Sequence, residues 1–86
     1  MKTIAVFPNS LDSREKIVFS FPELDSSLPT DEALESLPHG IYSFETEYEN
    51  KNCYLEIEFG LGKPDAIEFR IDDVKHDSIV FSILDN

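Results

Sequence analysis

Seven carboxylates stand where they could do chemistry: Glu45, Glu47, Glu49, Glu56, Glu58, Glu68 and Asp72. Paired carboxylates can share acid–base work, hold a hard cation, or, left unneutralised, present a field of negative charge. Their spacing decides between these. Between residues 41 and 73 the glutamates recur at alternate positions, and the residues between them are apolar or aromatic. Successive side chains of a strand point to opposite faces, so the pattern describes a sheet with one apolar and one acidic face. Such carboxylates stand about 6.8 Å apart along a strand and about 4.8 Å apart between strands.

Catalysis and metal binding fit these residues poorly. Glu45 and Glu56 could form an acid–base pair, but a small flat sheet offers no pocket for a substrate. Asp72-Asp73 and His76-Asp77 supply oxygen and imidazole within one turn. A calcium loop also needs its glycine and a bidentate glutamate at set spacings, and zinc needs three or four ligands. Cys53, the only cysteine, is in phase with Leu55 and Ile57 on the apolar face, where a thiol is an inert core group. His39 precedes that sheet and His76 lies in a distant turn, so the thiol has no evident base. Gly60-Leu61-Gly62-Lys63-Pro64 lacks the spacing of a phosphate loop and leads into a strand. No serine occupies a nucleophile elbow. The expectation is no catalytic residue, no metal site, no cofactor and no enzyme activity.

The elements that position the acids can be read from the same alternation. Residues 3–7 and 16–21 read as two strands, the second with Ile17, Phe19 and Phe21 on one face, joined by a polar hairpin loop at 11–14. Pro8 and Pro22 end them. Residues 31–37 read as a two-turn helix with Thr30 as its N-cap, Asp31 and Glu32 in the first turn, and Ala33, Leu34 and Leu37 as an apolar stripe. It is too short to stand alone and must lean on the sheet. A meander follows, with strands at 41–49, 53–59, 66–72 and 78–84.

With Asn50-Lys51 as the first turn of the meander, Tyr48 faces Cys53, Thr46 faces Leu55, Phe44 faces Ile57 and Tyr42 faces Phe59. Every pair falls on the apolar face, and a one-residue slip would set apolar groups against carboxylates. On the outer face this register pairs Glu45 with Glu56 and Ser43 with Glu58. It sets Glu58 near Glu68 and Glu56 near Arg70, the one base expected there. Ile67, Phe69 and Ile71 point inward. The last strand, Ile79-Val80-Phe81-Ser82-Ile83-Leu84, is apolar on both faces, which favours a central, buried place over an outer face that meets a partner. The fold expected is α+β: one domain over 1–86, an antiparallel sheet of five or six strands in the order β-β-α-β-β-β-β, and one short helix.

Charge narrows the partners. Eighteen acids against seven lysines and arginines give a formal charge of -11. Such a field repels nucleic acid and anionic membrane and attracts basic surfaces. The apolar run at Ile4-Ala5-Val6-Phe7 is too short for the core of a signal peptide, and no segment approaches the roughly 20 apolar residues of a membrane span. A cytoplasmic location is expected.

Like charges opposite one another destabilise a sheet, and stability alone would favour interspersed lysines. A carboxylate density comparable with that of DNA, one charge per strand every roughly 3.4 Å, suits a cationic groove. In size and acidity the chain resembles acidic inhibitors as a class: DNA mimics, anti-restriction and anti-CRISPR proteins of phage, and immunity proteins of basic nuclease toxins. That resemblance transfers no residues. It implies an inhibitor that occludes the nucleic-acid site of a basic partner through Glu45, Glu47, Glu49, Glu56, Glu58, Glu68 and Asp72, acting as monomer or homodimer. The alternative is a small assembly subunit, self-associating through the apolar last strand or a sheet edge, whose acidity serves solubility.

Overall fold

Alternation of apolar and polar residues builds, among the described residues, seven strands and one helix. The computed structural model describes residues 1–8, 16–77 and 79–85. The elements are β1 (Lys2–Phe7), β2 (Ile17–Ser20), α1 (Thr30–Ser36), β3 (Gly40–Tyr48), β4 (Lys51–Phe59), β5 (Asp65–Ile71), β6 (Val74–Lys75) and β7 (Val80–Asp85). The fold is α+β and follows the expected order, with the two-residue β6 added. The strands divide into two antiparallel sheets, β2-β1-β7 and β3-β4-β5-β6. The loop expected at 11–14 lies outside the described residues.

The apolar faces of the two sheets meet in one core. Ile4 and Val6 of β1 and Ile17 and Phe19 of β2 join Phe44, Cys53, Leu55, Ile57, Phe59 and Phe69 from the second sheet. Phe19 meets Phe69 edge-on with ring centroids 6.4 Å apart. Phe21, just past β2, lies 5.0 Å from Phe44, 5.3 Å from Phe59 and 6.2 Å from Tyr42.

Helix α1 begins at Thr30, its expected cap and one residue earlier than its expected start. Pro29 holds the N-cap position, without a side-chain cap hydrogen bond, and Thr30 is the first helical residue. Proline's fixed φ near -65° suits a helix entry, and Asp31 and Glu32 supply the negative charge that the first turn favours. The helix packs against β7, and Ala33 and Leu37 enter the core. Among the described residues no helix is long and apolar enough to cross a membrane.

Three expectations are corrected. The last strand is an edge strand, not a central one: among the described residues β7 pairs only with β1, and Val80 is 60% exposed. The centre belongs to β1, buried from Lys2 to Val6, because β1 pairs on both sides. The hairpin register differs by two residues: the turn is Glu49-Asn50, and Tyr48 pairs with Lys51, Thr46 with Cys53, Phe44 with Leu55, Tyr42 with Ile57 and Gly40 with Phe59. Both turn residues have positive φ, 49° and 65°, as the favoured two-residue hairpin loops require. Finally, a β-bulge between Glu56 and Ile57 shifts β5, leaving Ile67 as the extra residue, 45% exposed where an inward side chain was expected.

Candidate functional site

The outer face of the four-stranded sheet gathers the acids. Glu45 and Glu47 project from β3, Glu56 and Glu58 from β4, and Glu68 from β5; Glu56 and Glu68 are half-buried and the others exposed. The two-residue change of register keeps every one of them on the expected face. It replaces the Glu45–Glu56 pairing by Glu45 opposite Tyr54, Glu47 opposite Asn52 and Ser43 opposite Glu56. No glutamate of β3 then stands directly against one of β4, which removes the repulsion that the expected register imposed.

The bulge alters the next ladder. Glu56 stands opposite Glu68, and Glu58 opposite Asp65, so the expected neighbours Glu58–Glu68 and Glu56–Arg70 are not formed. Asp65 is a face residue that strict alternation misses: counted back from Phe69 it falls in the inward phase, and only the extra residue at Ile67 turns it outward.

Arg70 neutralises part of this face. Its Nε donates to Glu68 Oε2 at 2.8 Å, and its terminal nitrogen contacts the same oxygen. Contact with Glu68 raises the Arg70 pKa, with desolvation opposing. The guanidinium also lies over the Tyr54 ring, 4.9 Å from its centroid, a cation–π arrangement. Burial raises the Tyr54 phenol above its ordinary pKa, and a hydrogen bond with Glu56 adds to the rise. Arg70 is not the sole base here: Lys75 of β6 pairs with it across the ladder and is exposed.

Two of the expected site residues sit elsewhere. Glu49 occupies the β3–β4 turn. Asp72 lies in the β5–β6 turn, also with positive φ, and its carboxylate accepts from the Asn52 N–H at 2.9 Å. The face is also less flat than expected. An open hollow of about 720 Å³ lies over it, lined by Glu45, Glu47, Asn52, Tyr54, Arg70 and Asp73, with Thr46 and Cys53 beneath. Cys53 is buried, and burial pushes its thiol pKa up, with the nearby Asp72 charge adding to the effect. Among the described residues no three His, Cys, Asp or Glu side chains converge as a metal site.

The other sheet presents a contrasting outer face. By the β1 registers it carries Thr3, Ala5 and Phe7 of β1, Val18 and Ser20 of β2, and Val80, Ser82 and Leu84 of β7, none of them acidic; Thr3 and Ala5 are buried, so the exposed part of this face lies on β2 and β7. Comparisons with protein-family models, curated proteins and solved structures found no match to this chain.

Proposed function

We propose that this chain is a small acidic binding protein of the cytoplasm that occludes the nucleic-acid site of a basic partner: a nuclease, a CRISPR or restriction effector, or a toxin. One observation carries the reading. Glu45, Glu47, Glu56, Glu58, Asp65 and Glu68 share the outer face of one sheet, where the only cations among the described residues are Arg70, held by Glu68, and Lys75. Such a face meets cationic grooves through long-range attraction, which acts chiefly on association rate.

The test is a titration with the basic protein captured by the tagged chain from its native host. Replacing Glu45, Glu47, Glu56 and Glu58 together by Gln is expected to slow association at low salt by at least about tenfold. Stability should be unchanged or raised, by a few tenths of a kcal/mol for each relieved like-charge pair. The control removes four exposed charges elsewhere: Glu23→Gln, Glu32→Gln, Glu35→Gln and Asp77→Asn. Equal losses in both variants would leave only net charge at work and would sink the reading.

A second reading, self-association through the three-stranded sheet or the β7 edge, is favoured by the exposed Val80 and by the lack of acids among the described strand residues of that outer face. It predicts a dimer mass by multi-angle light scattering that falls to the monomer mass on Val80→Lys. The occlusion reading predicts no change in mass.

A further inference from the structure

We propose that β3 is a docking edge, to which a basic partner adds one extended strand with Lys or Arg at alternate positions. The proposal deepens the occlusion reading and rests on it. β3 spans nine residues and, among the described residues, ends its sheet, pairing only with β4. β2 approaches it from the other sheet, but no ladder of described residues joins the two.

The direction of the free backbone groups follows from Asn52. Its C=O accepts from the Asp72 N–H at 2.7 Å and its N–H donates to the Asp72 side chain at 2.9 Å. Both groups of Asn52 therefore point away from β3, so Glu47–Asn52 is a non-hydrogen-bonded pair of the β3–β4 ladder. Bonded and non-bonded pairs alternate along an antiparallel ladder. Thr46 and Phe44 thus bond to β4, whereas Ser43, Glu45 and Glu47 aim N–H and C=O away from β4. The residues whose backbone groups point away from β4 are the ones whose exposed side chains lie on the acidic face.

An added strand would satisfy these groups and place alternate side chains beside Glu45 and Glu47, where lysine or arginine is favoured. Its intervening side chains would fall beside Tyr42, Phe44 and Thr46, on the apolar side. The same acids oppose a second copy of this chain, since two antiparallel β3 edges would set glutamate against glutamate. The edge therefore selects a basic, amphipathic strand. β7, the corresponding edge of the other sheet, has six residues and α1 packed against it.

The test uses the whole chain and two end-blocked peptides of eight residues, one alternating Lys and Val, the other holding the same residues in two blocks. The alternating peptide should bind more tightly. At saturation it should slow hydrogen exchange of the Ser43, Glu45 and Glu47 amides by at least about tenfold, measured by NMR. Ser43→Pro, which removes one edge donor without changing charge, should weaken binding about three- to tenfold, and Ser43→Ala should not. The exchange measurement stands even if the proline variant does not fold. Equal binding of both peptides with no slowing of these amides would overturn strand addition and leave the charged face as the binder. Binding of neither peptide at low salt would overturn both.

Discussion

Phe21→Ala is expected to cost about 3–5 kcal/mol, the range for removing a buried phenylalanine from a packed core. Phe21 is fully buried beyond the end of β2, and its ring touches residues of both β3 and β4: Tyr42, Phe44 and Phe59. Its backbone N–H also donates to the Lys2 C=O at 3.0 Å. The side chain thus ties the three-stranded sheet to the four-stranded one. At about 0.05–0.15 kcal/mol per residue, a domain of this length has roughly 4–13 kcal/mol of stability in all, so one truncation removes a large share. Urea unfolding should show a much lower midpoint with an unchanged slope. Leu61→Ala, at a residue that is 96% exposed, should stay within about 0.5 kcal/mol of the parent. A Phe21→Ala loss under about 1.5 kcal/mol, well below the core range, would mean that these rings do not join the sheets.

The faces of the sheets were legible in the residues, but their pairing was not, and the reason is parity. A strand pattern of period two assigns each side chain to a face. A register change of two residues leaves every face unchanged, so Glu45, Glu47, Glu56 and Glu58 lie where alternation puts them while their cross-strand neighbours differ. What separates the two registers is the opposition of glutamates and the positive φ of the turn, and both depend on which chain segments meet. A bulge adds one residue and reverses parity, which is why Asp65 and Ile67 both left the inward face that counting gave them. The place of a strand within a sheet depends on long-range pairing. Ile79 to Leu84 have the composition of a central strand, yet β1 took the centre, and the buried charge at Lys2 came with it. The chemistry of the hollow over the acidic face, with Tyr54 against Arg70, likewise arises from a ladder that joins residues sixteen apart.

Lys2→Met is expected to leave the unfolding free energy unchanged or to raise it, by up to about 4 kcal/mol, whereas Asp85→Asn is expected to lower it. Lys2 is 0% exposed and lies on the same face of β1 as Ile4 and Val6. Its Nζ stands 2.9 Å from Asp85 Oδ2, on the residue opposite it in β7. The distance is that of an ion pair, yet the geometry leaves Nζ without a well-formed hydrogen bond; the short separation, which sets the Coulomb attraction, is what holds the contact. The two partners are desolvated unequally, since the Asp85 side chain is 53% exposed. The ammonium therefore bears most of the cost of leaving water, and a thioether of similar length avoids it. Removing the carboxylate alone leaves the buried cation uncompensated. Asp85→Asn should accordingly do no harm in the Lys2→Met background, and a double-mutant cycle measures that coupling. The pH dependence has the same origin. Contact with Lys2 holds the Asp85 carboxyl below its ordinary value of 3.8, with desolvation opposing. A lowered folded-state pKa gives stability that is present above the ordinary value and lost as pH falls through the depressed one. The parent should therefore lose more stability below about pH 4 than Lys2→Met does. If Lys2→Met destabilises as much as Asp85→Asn and keeps the same acid profile, the pair is a net source of stability and the buried ammonium carries no penalty.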